Sequence, residues 1–506
     1  MLSSVDFGGR PFHFIGIGGI GMSALAYILA KRQLPVSGSD IRLGHITQRL
    51  EASGAYIFGR QDASNLELFG PDIEPKINAR STGIAICNGM MPGAIAETVS
   101  VGKLPRKKNR NNLPQVVCST AINPANLEYR AALDLGCPIF HRSELLAALI
   151  QDYSGIAVAG THGKTTTSSM IGYMLLQAGL DPTIIVGGEV NAWGGNARLG
   201  EGEYLVAEAD ESDGSLVNLS AQIGIVTNIE LDHPDHYETL EQVVATFQVF
   251  AQRCQTLIGC VDDEIVRDRL KPQISYSLKP ESSADYTANN VIYSSNGTTA
   301  DIWERGKILG ELYLPLLGQH NLSNALAAVA VGRLVGLDFA VIAKSIATFE
   351  GARRRFELRG EVNGILFIDD YAHHPSEVCA TLAAARLQAK PESKVVAIFQ
   401  PHRYSRTLTF LSDFAQSFDN ADRVVISQIY SAGEPDLGQI SGQELAEKIA
   451  CCHPQVTYQP TLNLVREFLA QTLRPGDIAL FLGAGNLNQI IPEVMAAIAE
   501  TEGVFR

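Results

Sequence analysis

The chain has 506 residues, 46% apolar and 19% charged, a composition that excludes a fibrous or largely disordered protein and, at roughly 100–200 residues per domain, points to two to four domains. Acidic residues outnumber basic ones 54 to 40, a formal charge of −14, which argues against general affinity for nucleic acid or anionic membrane and leaves any anionic substrate to local positive sites. The N-terminus lacks a basic stretch followed by an apolar one, no run approaches 18 apolar residues, and the eight cysteines are scattered without C-x-x-C spacing. The expectation is a cytoplasmic protein with no membrane span, whose cysteines indicate neither a zinc site nor a disulfide framework.

Short apolar runs alternate with longer amphipathic stretches, the rhythm of parallel α/β domains, and they fall into three blocks. In the first, 12–17, 34–39 and 116–119 read as strands and 21–31 and 143–149 as helices; the polar, basic stretch 103–114 reads as an exposed loop. The second opens with a strand at 155–159 that runs into a glycine-rich turn and a helix ended by Gly179. Strands at 204–209 and 223–228 follow, then short antiparallel strands at 274–278, 291–294, 298–303 and 308–314 with a hairpin turn at Asn296-Gly297, and helices at 322–335 and 339–348. A hinge is expected within 351–360. The third block has strands at 365–368, 395–399, 423–429 and 478–482, and reads as a second open parallel sheet.

Gly160-Thr161-His162-Gly163-Lys164-Thr165-Thr166 lies between a strand and a helix, where backbone N–H groups and the helix N-terminus cradle phosphates and a lysine neutralises them. The loop is shorter than the usual phosphate-loop spacing. Mg²⁺ at such a loop needs hard oxygen ligands; Thr165 supplies one, and strand 204–209 delivers Glu208, Asp210, Glu211 and Asp213 to the sheet edge where α/β folds gather ligands. His233, within Asp232-His233-Pro-Asp235-His236, is a candidate ligand of a second divalent ion. Gly16, Gly18, Gly19 and Gly21, with Asp40 at the end of the next strand, fit the dinucleotide fingerprint. Because the glycines recognise a pyrophosphate, a nucleoside diphosphate sugar satisfies them as well as NAD does. In the third block, Arg403 and Arg406 share one face of a helix start and can grip a carboxylate, such as that of an amino acid.

Taken in order, GIGGIGM, GTHGKTTT, EADESD, TNIELDHPDHY, GQHNLSNALAA, GARRRFE, DDYAHHP, QPHRYSRT and FLGAGN give a chain that resembles the Mur ligases along essentially its whole length. The resemblance implies a Rossmann-like N-terminal domain for a UDP sugar (1–151), a central P-loop ATPase α/β domain (152–357) and a C-terminal Rossmann-like α/β domain for the amino acid (358–506). It implies an ATP-dependent ligase of peptidoglycan precursor synthesis that joins L-alanine to the lactyl carboxylate of UDP-N-acetylmuramate through an acyl phosphate. ATP and two Mg²⁺ ions, with Mn²⁺ as a substitute, are the implied cofactors, and a monomer or weak homodimer is expected.

By the same resemblance, Lys164 stabilises the transferring phosphoryl group, and Thr165, Glu208 and His233 hold metal. His320, Asn321 and Asn324 lie at the adenine, Arg355 and Asp370 contact ATP, and His373, Arg403 and Arg406 bind the amino acid. No lysine closely follows Asp232-His233, so a carbamylated metal-bridging lysine is not expected. A tripeptide-recycling Mur ligase, a nicotinamide oxidoreductase and a non-catalytic ATP-dependent switch stand as alternatives; the oxidoreductase leaves the phosphate loop unexplained, and the switch leaves the first glycine motif unexplained.

Overall fold

The computed structural model describes residues 4–69 and 113–503, so all but the last two residues of the basic stretch 103–114 lie outside the described residues. Two compact units divide the chain at Ala148/Leu149.

The first unit is built on β1 (Phe12–Ile15), α1 (Ile20–Lys31), β2 (Val36–Ser39), α2 (His45–Ala52), β3 (Tyr56–Phe58), β4 (Gln115–Cys118), α3 (Leu127–Asp134), β5 (Ile139–His141) and the start of α4 (Arg142–Gln151). Its five strands are all parallel in the order β3-β2-β1-β4-β5. The order reverses between β1 and β4, which puts the glycine turn after β1 at a topological switch point, as expected of a Rossmann-like sheet. Beneath it lies a buried polar knot: His13 bonds Ser37 and Glu128, and Glu128 also accepts from Ser39 and Asn65. Each polar group there has a partner, which makes its burial tolerable.

The second unit carries two sheets. The larger contains β6 (Ser154–Ala159), β7 (Thr183–Val190), β8 (Gly195–Arg198), β9 (Tyr204–Glu208), β10 (Ile223–Val226), β11 (Thr256–Cys260), β12 (Ile274–Ser277), β13 (Tyr286–Ser294), β14 (Gly297–Glu304) and β15 (Lys307–Leu314). Their order is β15-β14-β13-β12-β11-β10-β6-β9-β7-β8. Helices α5 (Lys164–Gln177), α6 (Leu240–Arg253), α7 (Gln319–Leu334) and α8 (Phe339–Ile346) accompany it. The core joins α5 and α7 to the strands, and both helices are buried nearly all round, the threonines and serines of the first turns of α5 included. Gly332 lets α7 close on its neighbours: a Cβ there would lie 2.7 Å from Ile342 and 3.0 Å from Met174.

Two sequence expectations change here. The strand expected at 274–278 is parallel to both neighbours, β11 and β13, not part of the antiparallel set. The preceding strand β11, which carries no turn signal before it, went unread, and with it the crossover that makes the pairing parallel. The hairpin turn is Ser295-Asn296 instead of Asn296-Gly297, because Gly297 is already paired with Ser294. Gly297 serves close approach: at φ 149°, its Cβ would lie 2.5 Å from the Leu314 carbonyl of β15.

The second sheet contains β16 (Glu357–Val362), β17 (Ile365–Asp370), β18 (Val395–Phe399), β19 (Arg423–Ile426), β20 (Val456–Tyr458) and β21 (Ile478–Leu482) in the order β16-β17-β21-β18-β19-β20. It is parallel except for β16, which pairs antiparallel with β17 and starts inside the expected hinge. Helices α9 (Pro375–Gln388), α10 (Tyr404–Thr409), α11 (Leu411–Ala415), α12 (Gly442–Ala450), α13 (Leu462–Thr472) and α14 (Ile491–Gly503) belong to it. Alternate residues of β18 and β21 enter different cores: Val395, Ala397, Phe399, Leu480 and Leu482 one, Val396, Ile398, Ala479 and Phe481 the other. Cover on both faces is why these strands read as unbroken apolar runs.

Candidate active site

The phosphate loop leaves the middle of the larger sheet at the end of β6. Gly160 and Gly163 take φ of 133° and 83°, and neither has room for a side chain. A Cβ on Gly160 would lie 2.0 Å from Thr227 Oγ1, and one on Gly163 would lie 2.6 Å from Asn324 Oδ1. The end of β10 splints the loop: the His162 N–H donates to Asn228 Oδ1 at 2.8 Å, the Thr227 hydroxyl donates to the His162 carbonyl at 2.5 Å, and the Glu230 N–H donates to Thr161 Oγ1 at 2.9 Å. Lys164 Nζ donates to the carbonyls of Gly160 and Thr161 at 2.6 and 3.0 Å and pairs with Glu211 at 2.8 Å. Burial works against its charge, but Glu211, Asp210 and Glu208 outweigh it and hold the ammonium above the ordinary lysine range. Burial pushes the Glu211 carboxyl up to about 7 against the pull of Lys164.

Thr165 and Glu208 meet around two glycines of β7 that sequence reasoning passed over. The Gly187 N–H donates to Glu208 Oε2 at 2.7 Å, and a Cβ at Gly187 would lie 2.6 Å from both carboxylate oxygens. A Cβ at Gly188 would lie 3.0 Å from Thr165 Cγ2. Two glycines in a row inside a strand are the signal that another group approaches closely. A hydroxyl and a carboxylate are hard donors of the kind Mg²⁺ takes. His233 stands at φ 56°, rare for a residue with a side chain, and burial holds its imidazole low against the pull of Asp232.

Residues of the expected hinge segment, of α7 and of the third domain converge on the same loops. Arg355 Nη2 lies 3.5 Å from Thr165 Oγ1, and its guanidinium sits over the Tyr371 ring. Asp370 is fastened to the expected hinge segment, accepting from the Phe356 N–H at 2.6 Å and the Ala372 N–H at 2.8 Å; burial raises its carboxyl to about 6 against the opposing effect of Arg355. Asn321 and Asn324 are buried and bonded to each other, so α7 backs the phosphate loop directly through Asn324. His320, on the same turn, is held at about 4 by burial, against Glu377.

Arg406 is 2% exposed, and its Nε donates to Asp232 Oδ1 at 2.8 Å. Arg403, at φ 70°, reaches Asp235 at 3.0 Å and Glu434 at 3.3 Å. Both arginines are therefore tied to the loop that presents His233, a partnership that no spacing in the sequence announces. His373 turns Nδ1 toward the Tyr371 carbonyl at 2.9 Å and Glu377 at 3.2 Å. Burial lowers it to about 4 against Glu377, leaving a neutral ring at neutral pH. Glu377 is the residue sequence reasoning missed: it accepts from the N–H groups of His373 and His374 and from His162 of the phosphate loop. Its position three residues after His374 is a capping-box signal, which gives no sign of the contact to His162.

In the first unit, Gly16 takes φ 81°, and Gly18 donates its N–H to Asp40 Oδ2 at 2.8 Å. A Cβ on Gly18 would lie 2.9 Å from that oxygen. Asp40 thus shapes the turn whose glycines it was grouped with.

Three consecutive stretches match family profiles: the Mur ligase family catalytic domain over 11–154, the Mur ligase middle domain over 158–332, and the Mur ligase glutamate ligase domain over 354–485. The chain is 68% identical to the UDP-N-acetylmuramate–L-alanine ligase of Nostoc punctiforme over 99% of both chains. The chain belongs to the Mur ligase family. Another relative, the UDP-N-acetylmuramate–L-alanine ligase of Microcystis aeruginosa, is 58% identical over 99% of this chain and 98% of its own. Among solved Mur ligases, the UDP-N-acetylmuramate–alanine ligase of Thermotoga maritima superposes with a TM-score of 0.75 at 25% identity, covering 98% of this chain and 100% of its own. A murein peptide ligase of Psychrobacter arcticus shares the fold at TM-score 0.66 and 22% identity, over 97% and 99% of the two chains. The three-domain α/β architecture is that of the family. No helix among the described residues is long and apolar enough to cross a membrane.

Proposed function

We infer that this chain is an ATP-dependent ligase that joins L-alanine to the lactyl carboxylate of UDP-N-acetylmuramate, giving UDP-N-acetylmuramoyl-L-alanine, ADP and phosphate for peptidoglycan precursor synthesis. The observation that carries this reading is the 68% identity, over 99% of both chains, with a relative named for that reaction. A MurF ligase of the same family, from Thermotoga maritima, was solved in complex with ADP, in keeping with ATP as the energy source.

The residue roles proposed here are those the family resemblance implies, and the contacts within the site support them. The loop amides and Lys164 hold the β- and γ-phosphates; the lactyl carboxylate attacks the γ-phosphorus, ADP leaves, and an acyl phosphate remains. Lys164 matters most as charge shifts onto the leaving group, since catalysis of phosphoryl transfer is positioning and electrostatics. Thr165 and Glu208 would hold one Mg²⁺ and His233 would serve a second, and the ions would supply charge neutralisation to the phosphates. Asn324 supports the loop from α7, with His320 and Asn321 toward the nucleotide base, and Arg355, anchored by the hinge that Asp370 fastens, reaches the nucleotide. Arg403 and Arg406 take the alanine carboxylate. The neutral His373, with Nδ1 occupied, offers Nε2 to the amine, which attacks the acyl carbon, loses a proton and expels phosphate. Gly16, Gly18, Gly19 and Gly21 receive the UDP diphosphate, with Asp40 fixing the turn. The described cysteines are all free, which fits a reducing cytoplasm.

Phosphate release from ATP, measured with UDP-N-acetylmuramate, Mg²⁺ and one acceptor at a time, tests the reading. Release with L-alanine is expected. Release only with L-alanyl-γ-D-glutamyl-meso-diaminopimelate transfers the chain to the recycling branch of the family, and failure of every acceptor to give release removes the ligase reading.

A further inference from the structure

His162, Glu230 and His374 bring three metal-ligating atoms within 4.8 Å of one another, and none of the roles above uses them together. His162 Nε2 lies 3.5 Å from Glu230 Oε2, and His374 Nδ1 lies 3.7 Å from the same oxygen. Donors on a tetrahedral zinc with bonds of roughly 2.0–2.1 Å stand about 3.3 Å apart, so these two edges need contract only slightly. The third edge, between His162 and His374, is no longer than 4.8 Å, and the two ring centroids stand 4.8 Å apart.

The surrounding contacts are those a metal site requires. His162 Nδ1 meets Glu377 Oε1 at 3.2 Å, and His374 Nε2 meets the Leu231 carbonyl at 3.3 Å. Each ring thus has an outer acceptor for one N–H, which turns the other nitrogen's lone pair inward; carboxylates and carbonyls orient metal-bound histidines in this way. Ser376 Oγ donates to Glu230 Oε2 at 2.6 Å and fixes the carboxylate. His162 Nε2 is buried with no hydrogen-bond partner, the kind of unsatisfied atom that calls for an occupant. His374 Nδ1 has, besides, a long 3.4 Å contact from the Ser376 N–H. The Glu230 side chain is 39% exposed, so the position opens to solvent.

We propose that His162, Glu230 and His374 form a transition-metal site, separate from the magnesium ligands, that takes Zn²⁺ in preference to Mg²⁺ and clasps the central and third domains. Two imidazoles and one carboxylate suit a borderline-soft ion, whereas Mg²⁺ prefers oxygen donors and keeps its water. His162 and Glu230 come from the loops after β6 and β10, and His374 from the start of α9, so a bound ion ties together parts that must separate for product to leave. Occupation therefore slows turnover, and excess Mg²⁺ does not reverse it. In the absence of the ion, the Glu230 and Glu377 carboxylates favour a protonated His162 ring, and zinc must displace that proton.

The test is competition for Zn²⁺ between the full-length protein and a chromophoric chelator in excess Mg²⁺. One tight equivalent is expected in the wild type. His374→Ala and Glu230→Gln each weaken it at least about tenfold, and the milder Ser376→Ala also weakens it, each variant first checked for a cooperative thermal transition. The exposed thiols among the described residues, Cys379 and the adjacent Cys451 and Cys452, are competing zinc ligands, so the Cys451→Ser/Cys452→Ser variant and Cys379→Ser are each expected to keep the tight equivalent, and Co²⁺ to show visible bands without thiolate charge transfer. Absence of tight zinc in the wild type, its persistence in both His374→Ala and Glu230→Gln, or its loss in either thiol variant would each overturn the site.

Discussion

The glycine turn after β1 and the one after β6 share a strand–turn–helix frame, yet they are furnished for different work. After β1 the turn is shaped by backbone and by one carboxylate, Asp40, that accepts the Gly18 N–H. After β6 the turn carries Lys164, balanced by Glu211, splinted by Thr227 and Asn228, and backed by Asn324. A diphosphate that is only held needs N–H groups and space, whereas a phosphoryl group that moves needs a fixed cation whose charge is maintained in a dry site. On the proposed reading, the first turn binds and the second carries the chemistry.

The strongest way to break it is Lys164→Ala. Turnover should fall about 10³-fold or more while KM for UDP-N-acetylmuramate stays within a few-fold. The variant should remain folded, because the Glu211 carboxyl, already at about 7, takes up a proton when its partner is gone. Steady-state kinetics beside a thermal melt decide; turnover near wild type would move the chemistry away from this loop.

A smaller effect is expected from Gly187→Ala. The added methyl would lie 2.6 Å from both Glu208 oxygens and must displace the carboxylate. Half-saturation by Mg²⁺ should rise about 10- to 100-fold, the scale seen when a ligand's support is lost, with saturating Mg²⁺ restoring much of the rate. An unchanged Mg²⁺ dependence would free Glu208 from the metal.

How much of this was legible depends on whether the signal was local. The strand, glycine turn and helix around Lys164 announce themselves within a dozen residues, and so do the apolar runs of β18 and β21. Asp232 and Arg406 pair across 174 positions, and His162 and Glu377 across 215; only the packing of two sheets brings them together. Gly297 misled because its neighbour Asn296 makes a standard turn pair, although the glycine answers to the Leu314 carbonyl. Glu377 was hidden differently, since its capping position already explains a glutamate there.

On the binding-only side of the comparison, Asp40→Ala should raise KM for UDP-N-acetylmuramate about two- to tenfold, the worth of one hydrogen bond that orders the turn, and leave kcat unchanged. Asp40→Asn, whose amide oxygen can still accept from Gly18, should recover most of the loss. A fall in kcat instead would mean that the first turn takes part in the chemical step.

The smallest effect concerns His320, on the helix turn behind the phosphate loop. Burial holds its folded pKa at about 4 against an ordinary 6.5, so between those values the unfolded chain binds the extra proton. Stability then rises with pH across that window, is fully present above 6.5, and is lost as pH falls toward 4. His320→Gln removes this one proton from the linkage, about 1.4 kcal/mol per pH unit at most. The melting temperature of the variant should therefore fall less steeply between pH 6.5 and 4 than that of the wild type, the curves running parallel above pH 7. His373, also held at about 4, keeps part of the slope in the variant, so a flattening without complete loss is the outcome that fits. An unchanged slope would mean that His320 is hydrated enough to titrate as it does in the unfolded chain, and that the wall behind the phosphate loop is open to water.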